Sequence, residues 1–398
     1  MKANPTKAQY TPTYHRLWNR EFTTLIIAEL LLCMACYTTI PFLPYHLFAN
    51  RHAGMEWPTI AMVAYVTGIF TSGLFCSWLI QRYRRNKVFC ISSLLLSGVI
   101  LCMSLAEELE PVEEDVQTYA ITAACLASGF LFGNAKRVLS CTLLIDKAES
   151  CHRTEANYAA IWISRLTVVI GPMVALAMER QLHDVACYSA ASATIVLAVL
   201  LVMSVKFPFR APEEGTHLLS CDRFFLTSGW YISIVIALMA ASLGIIITRH
   251  LGIGFCTSIC TGFAISIITL RYASVRQGRH TSAVGNTCII AAVLAMAVHN
   301  GILDDTLKPM LLGLGFGLTS SEQLYKLLDC CNHCQRSTAE STYFAASDGG
   351  LFLGIAAGWW INSQTAKADT VSLVLMALAT IICTANSLAK KKRKAYHA

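Results

Sequence analysis

Twelve long apolar stretches separated by short polar loops run along the chain, and basic residues pile up in every second loop. The stretches cover residues 22–48, 57–80, 88–105, 118–145, 156–178 and 185–205, then 229–248, 254–270, 282–298, 309–325, 339–361 and 370–388. Each is near the ~20 residues that an α-helix needs to cross ~30 Å of hydrocarbon. The pattern predicts a polytopic membrane protein built of helices rather than barrel strands.

Composition points the same way. The chain is 55% hydrophobic and 14% charged with a mean hydropathy of +0.53, whereas a soluble domain carries about 25% charged residues. The 31 Lys and Arg sort by loop: 23 fall at the two ends and in the even-numbered loops, five in the odd-numbered loops (Arg51, Arg180, Arg249, Lys308, Lys367), and three inside spans (Lys136, Arg137, Arg165). Basic loops stay cytoplasmic, so both termini are expected inside. The opposite side is acidic, most visibly Glu107, Glu108, Glu110, Glu113, Glu114 and Asp115 in the third loop. The net charge of +7 is then mostly topology. The basic cluster at residues 390–394 reads as an anchor on anionic lipid, and no nucleic-acid partner is expected.

Several other chemistries are weighed and set aside. The first 20 residues are polar and the first apolar run is long, so no cleavable signal is expected. Most of the 17 cysteines lie in spans or cytoplasmic loops, where reduced thiols are expected. The cluster Cys330, Cys331, His333 and Cys334, with Cys151 and His152, matches no standard zinc spacing, so small apolar filler is the preferred reading and no metal is expected. Gly313, Gly315 and Gly317 lie within a span, where close helix packing accounts for them. No Gly-x4-Gly-Lys-Ser/Thr sequence occurs, so no nucleotide cofactor is expected and an ion or substrate gradient must supply energy.

The chain repeats itself. A shift of 183 residues lays 144–165 on 327–348, matching Asp146 with Asp329, Cys151 with Cys334, Arg153 with Arg336, Ala156 with Ala339 and Ser164 with Ser347. Twelve spans are therefore expected as two copies of six. Residues 1–205 and 229–398 form the two bundles, and 206–228, with Pro208, Pro212 and Gly215, form the linker.

Over essentially its whole length the chain resembles the major facilitator superfamily, in topology, duplication and local motifs. Leu17-Trp18-Asn19-Arg20-Glu21-Phe22 followed by Pro41-Phe42-Leu43-Pro44 is similar to the first span of bacterial efflux-type members. Residues 77–87 stand in the place of the family's Gly-x-Leu-Ala-Asp-Arg-x-Gly-Arg-Arg loop and keep Arg82 and Arg85, while Ser77, Gln81 and Arg84 replace Gly, Asp and Gly. The carboxylate that helps latch the cytoplasmic gate in the family is thus absent. Gly171-Pro172 sits where exporters carry a Gly-Pro motif, although Thr167 and Ala175 replace flanking glycines. The resemblance implies two six-helix pseudo-symmetric bundles rocking about a midplane site, with the first, fourth, seventh and tenth spans lining the cavity. It also implies gating roles for Arg82, Arg85, Gly171 and Pro172.

Charge at membrane depth is costly, so residues that remain there usually face a polar cavity. Seven are present: Glu29, Lys136, Arg137, Arg165, Glu322, Glu340 and Asp348. Counted from the nearest cytoplasmic charge, Glu29, Lys136 and Arg137 lie roughly 10–15 Å deep, Glu322 about 6 Å, and Arg165 and Asp348 about 18 Å. Those last two occupy the same repeat position with opposite charge. Glu340, four residues from Arg336, reads as a boundary residue.

Asp348, Glu29 and, less favourably placed, Glu322 are the candidates for proton coupling, because a carboxylate in a partly dehydrated cavity can exchange protons near neutral pH. Arg165, Lys136 and Arg137 are candidates to hold a substrate anion or the deprotonated carboxylate. Tyr37, Tyr65, Tyr158, Trp162, Tyr325 and Tyr343 could stack on an amphipathic substrate, Tyr37 and Trp162 being the binding candidates, although aromatics at helical spacing in a membrane protein are more often packing or interface anchors. The alternative is a set of static ion pairs, with Glu322 against Lys136 or Arg137. The leading expectation is a monomeric, proton-coupled exporter of a small organic or amphipathic compound, not an enzyme. A symporter importing an organic anion or sugar remains open, as does a non-transporting sensor on the same fold. Short external loops without an Asn-x-Ser/Thr sequon fit a bacterial inner membrane.

Overall fold

The computed structural model describes residues 17–40, 56–105, 114–149, 152–179, 184–208, 215, 217–250, 252–272, 279–297, 306–332, 335–362 and 368–396. Among the described residues it has twelve long helices and no strand. The first six are α1 (Arg20–Thr39), α2 (Glu56–Arg82), α3 (Arg85–Leu105), α4 (Glu114–Val138), α5 (Arg153–Glu179) and α6 (Asp184–Ser204). The second six are α7 (Trp230–Arg249), α8 (Ile253–Tyr272), α9 (Arg279–Ala297), α10 (Leu307–Asp329), α11 (Arg336–Asn362) and α12 (Ala368–Tyr396).

Each helix falls on one expected span. The largest departure is at α1, which ends at Thr39 although its apolar run continues to residue 48. Its start is set by Asn19, whose Oδ1 accepts the Phe22 backbone N–H at 2.8 Å, with Glu21 in the first turn completing a favourable helix entry. α4 passes without a break into a π-helical turn, Leu139–Leu144, and a last α turn, Ile145–Lys147. Such a turn carries one extra residue per loop of backbone and tends to occur where a side chain must be re-aimed.

The duplication is visible in three dimensions. α5 and α11 both have 27 residues, and they begin and end at positions 183 apart. In the first half α1 packs on α5 and α6, while α4 packs on α2 and α3, and α3 on α6. The second half repeats the scheme: α7 on α11 and α12, α10 on α8 and α9, and α9 on α12. Glycines permit the tightest of these contacts at matched places. A Cβ on Gly129 of α4 would collide with the Tyr65 carbonyl of α2, and one on Gly313 of α10 with the Ile259 carbonyl of α8. The two halves meet along α2 with α11 and, by the same symmetry, α5 with α8.

Nine of the described helices are long and apolar enough to cross a membrane, and α9 and α12 contain shorter apolar segments. Large apolar side chains such as Ile91, Leu95, Leu200, Ile268 and Ile381 stand exposed on their outer faces. In water such a surface would drive aggregation, and in a bilayer it is the lipid contact. The chain is a multi-pass membrane protein.

The end of the molecule that carries the α2–α3, α4–α5, α6–α7, α8–α9 and α10–α11 connections is called here the basic face. There the connector after α6 crosses between the halves. Ser220 N–H donates to the Leu74 carbonyl of α2 at 3.0 Å, while Thr338 and Thr342 of α11 donate to the carbonyls of Asp222 and Phe224 at 3.1 and 3.3 Å. Phe224 fills the space over Gly73 and meets the Phe70 ring edge-on at 6.1 Å. Several expectations fall outside the described residues: Lys2, Lys7, Arg16, Pro41, Phe42, Leu43, Pro44, Arg51, Glu107, Glu108, Glu110, Glu113, Cys151, Arg180, Pro212, His333, Cys334 and Lys367.

Candidate functional site

Lys136 lies eleven residues before Lys147 on the α4 rod, and Asp348 twelve residues after Arg336 on α11. At 1.5 Å per residue both are therefore about 16–18 Å from the basic face, although they belong to different halves. They meet there. Nζ of Lys136 is 2.6 Å from Oδ2 of Asp348. Tyr37 of α1 closes a triangle: its hydroxyl donates to Oδ1 of Asp348 at 2.8 Å and accepts from Lys136 Nζ at 3.1 Å. Ser347 adds a 3.3 Å hydrogen bond to the same Oδ1.

The triangle is dry. Lys136 is 2% and Asp348 4% exposed. Aromatic rings take the place of water around the ammonium, with Phe344 at 4.4 Å and Phe132 at 5.4 Å from Nζ to the ring centroid. Phe352 of α11 stacks on Tyr37 at 5.9 Å and packs edge-on against Tyr65 of α2 at 4.8 Å. A buried ion pair adds little net stability over an apolar pair, but removing one partner is expensive.

Arg165, the repeat partner of Asp348, is satisfied differently. Its Nε donates to the Tyr343 hydroxyl at 3.1 Å and its guanidinium lies 5.2 Å from that ring's centroid. Among the described residues no carboxylate stands within ion-pair distance of it. The structure thus pairs Asp348 with Lys136 and leaves Arg165 with a phenol.

The neighbouring charges separate by helix geometry. Arg137 follows Lys136 by one residue, so it points about 100° away. It donates from Nη1 to Ser72 Oγ at 2.6 Å and from Nη2 to the Ile69 carbonyl at 2.7 Å, both on α2, and lies 4.8 Å from the Phe224 ring. Glu29 of α1 accepts a 2.7 Å hydrogen bond from Ser140, at the π-helical turn of α4. Its second oxygen, Oε2, is buried without a hydrogen-bond partner among the described residues. Glu340, four residues from Arg336, is fully buried in the protein, and neither carboxylate oxygen has a hydrogen-bond partner among the described residues.

In this arrangement Glu322 is not paired with Lys136 or Arg137, the contact that the static-pair alternative expects in one of two closed states. It bonds Lys326, one turn along α10, at 2.7 Å, the ordinary partner for a residue four positions away. Trp162 lies on the α5–α8 seam, 4.8 Å from the Phe263 ring, away from the triangle. Gly171 and Pro172 are buried in α5. A Cβ on Gly171 would stand 2.7 Å from Tyr37 Cβ, so this glycine sets how closely α5 approaches the tyrosine of the triangle. Of the loop arginines, Arg85 pairs with Asp146 at 2.6 Å, tying the start of α3 to the end of the α4 rod, and Arg82 is exposed. The sequence signals do not pick out Ser140, Phe132, Phe344 or Phe352. Phe132 and Ser140 share the face of Lys136 at i−4 and i+4, a spacing that could have marked both.

No family sequence profile matches the chain, and no curated protein is detectably similar to it in sequence. Solved structures do match. A bacterial homologue of the iron transporter ferroportin in its outward-facing state superposes with a TM-score of 0.66 at 16% identity, covering 92% of this chain and 98% of that one. The human organic anion transporter MFSD10 gives 0.64 at 13% identity, over 92% and 99%. A D-xylose-proton symporter gives 0.62 at 12%, over 91% and 96%. The fold is that of the major facilitator superfamily transporters.

Proposed function

We propose that this chain is a secondary active transporter that exports a small organic or amphipathic compound by alternating access, coupled to protons. The observation that carries the reading is the Lys136–Asp348 pair, a buried charge contact at mid-depth that joins the two halves. A proton on Asp348 removes the charge that Lys136 is held by and weakens the tie between the bundles. Glu29, with one unpartnered oxygen and within electrostatic reach of Lys136, then receives the ammonium inside the first half. Arg165, which among the described residues is hydrogen-bonded to Tyr343, is the group that meets an acceptor or acidic group of the substrate. Tyr37 belongs to both events, since it bonds Asp348 and rests against Gly171.

The orientation follows from charge. With the basic face in the cytoplasm both termini are inside, and the membrane is the bacterial inner membrane. Residues 1–205 and 229–398 move as the two bodies, joined by 206–228. Export as the direction rests on the Gly171-Pro172 resemblance in α5.

Purified protein in proteoliposomes tests the reading. A thermal-shift screen finds a ligand by its stabilisation of the fold, and an imposed pH gradient then drives that ligand. Accumulation against its gradient into inside-acid vesicles by outward-oriented cytoplasmic faces supports proton-coupled export. Accumulation with the opposite dependence makes the protein a symporter, and flux of no solute under any gradient leaves a sensor on a transporter fold.

A further inference from the structure

We propose that a groove at the basic face, between α2, α3 and α4 and beside the connector, binds one anionic glycerophospholipid from the adjoining leaflet. The inference is independent of the transported compound and of the Lys136–Asp348 pair. The groove has a volume of about 890 Å³, far more than a lone phosphate needs. Its mouth is basic. Arg82, Arg84, Arg85, Lys87 and Arg223 line it against one acid, Asp146, which Arg85 already holds at 2.6 Å.

Its floor is polar and buried. Asn134 is 2% exposed and donates to Ser92 Oγ at 2.8 Å, while its Oδ1 has no hydrogen-bond partner among the described residues. The outer wall is apolar and open to the bilayer. Ile91 and Leu95, one turn apart on α3, line the groove and are 59% and 55% exposed. From Arg85 to Leu95 the helix rises about 15 Å, which carries a ligand from a charged headgroup zone into hydrocarbon. A soluble anion uses the mouth but gains nothing from that wall, and a neutral lipid uses the wall but not the five bases. An anionic phospholipid uses both.

The occupant also touches the connector. Phe207, Pro208 and Arg223 line the groove, and the same connector takes Thr338 and Thr342 of α11 through the carbonyls of Asp222 and Phe224. A lipid held by Arg223 therefore favours the arrangement in which the connector is seated across both halves.

The test compares phosphatidylglycerol, phosphatidylcholine and soluble glycerophosphate on the full chain in detergent, by native mass spectrometry and melting temperature. Three proteins are needed: the wild type, the groove variant Lys87→Gln/Arg223→Gln, and the control Lys206→Gln/Arg153→Gln, which neutralises two exposed bases that do not line the groove. The expected result is retention of one phosphatidylglycerol in preference to phosphatidylcholine, weakened on the order of tenfold or more in the groove variant and unchanged in the control. A photoreactive phosphatidylglycerol should label residues 91–95 of the wild type, a readout that does not depend on the variant folding. Equal losses in both variants would make the effect general surface charge and overturn the proposal. So would binding of glycerophosphate as tight as that of the lipid, absence of any preference over phosphatidylcholine, or labelling that misses α3.

Discussion

Arg165 and Asp348 are one position of an ancestral repeat written twice, and they have come to opposite ends. Both lie twelve residues into a 27-residue helix that begins at a matched arginine. Asp348 is locked to Lys136 across the interface at 2.6 Å, whereas Arg165 rests on the Tyr343 hydroxyl and ring with no carboxylate at ion-pair distance among the described residues. Equal depth therefore does not mean equal work. The acid is committed to an ion pair between the halves, and the base to a phenol within the interior.

Breaking the fastened member should cost most. Lys136→Met leaves the Asp348 carboxylate buried with hydroxyl partners alone among the described residues, and a loss of about 3–5 kcal/mol in stability is expected, read as a fall in melting temperature of the purified protein. Adding Asp348→Leu to it should recover most of that loss without recovering transport. Recovery of both would mean that the pair is only structural.

The Arg165 side sharpens the comparison with a smaller effect. Arg165→Gln should raise the half-saturating substrate concentration about tenfold, near 1.4 kcal/mol, with maximal flux less affected. Arg165→Lys should restore part of it, because charge returns without the planar fork. Gly171→Ala comes next. Its methyl group would press on Tyr37, and overpacking of that kind costs about 1–3 kcal/mol, so slower turnover with ligand affinity retained is expected from initial rates and thermal shift. Smallest is Glu322→Gln, which removes a partly exposed bond to Lys326 and should change stability by less than about 1 kcal/mol, with flux near wild type.

The helices and their duplication as two copies of six were legible in the chain because hydrophobic length sets the spans and the 183-residue repeat sets equivalence. Partner choice was not. Lys136 and Arg137 are adjacent in sequence and alike in depth, yet one turns to α11 and the other to α2, a division made by the 100° step between them and by which helix happens to lie there. Glu340 shows the same limit from another side. Counting from Arg336 gives its depth but not its surroundings, and it is fully enclosed by the protein. Ser140 went unmarked because a serine in a span is common, and only the π-helical turn places it against Glu29.

Uphill transport by Asp348→Asn in proteoliposomes under an imposed pH gradient tests the central claim most directly. The account predicts that the variant equilibrates or exchanges substrate but no longer concentrates it, while the wild type does. Accumulation by the variant at the wild-type rate would contradict it, and Asp348 would not be the residue through which protons drive the two halves.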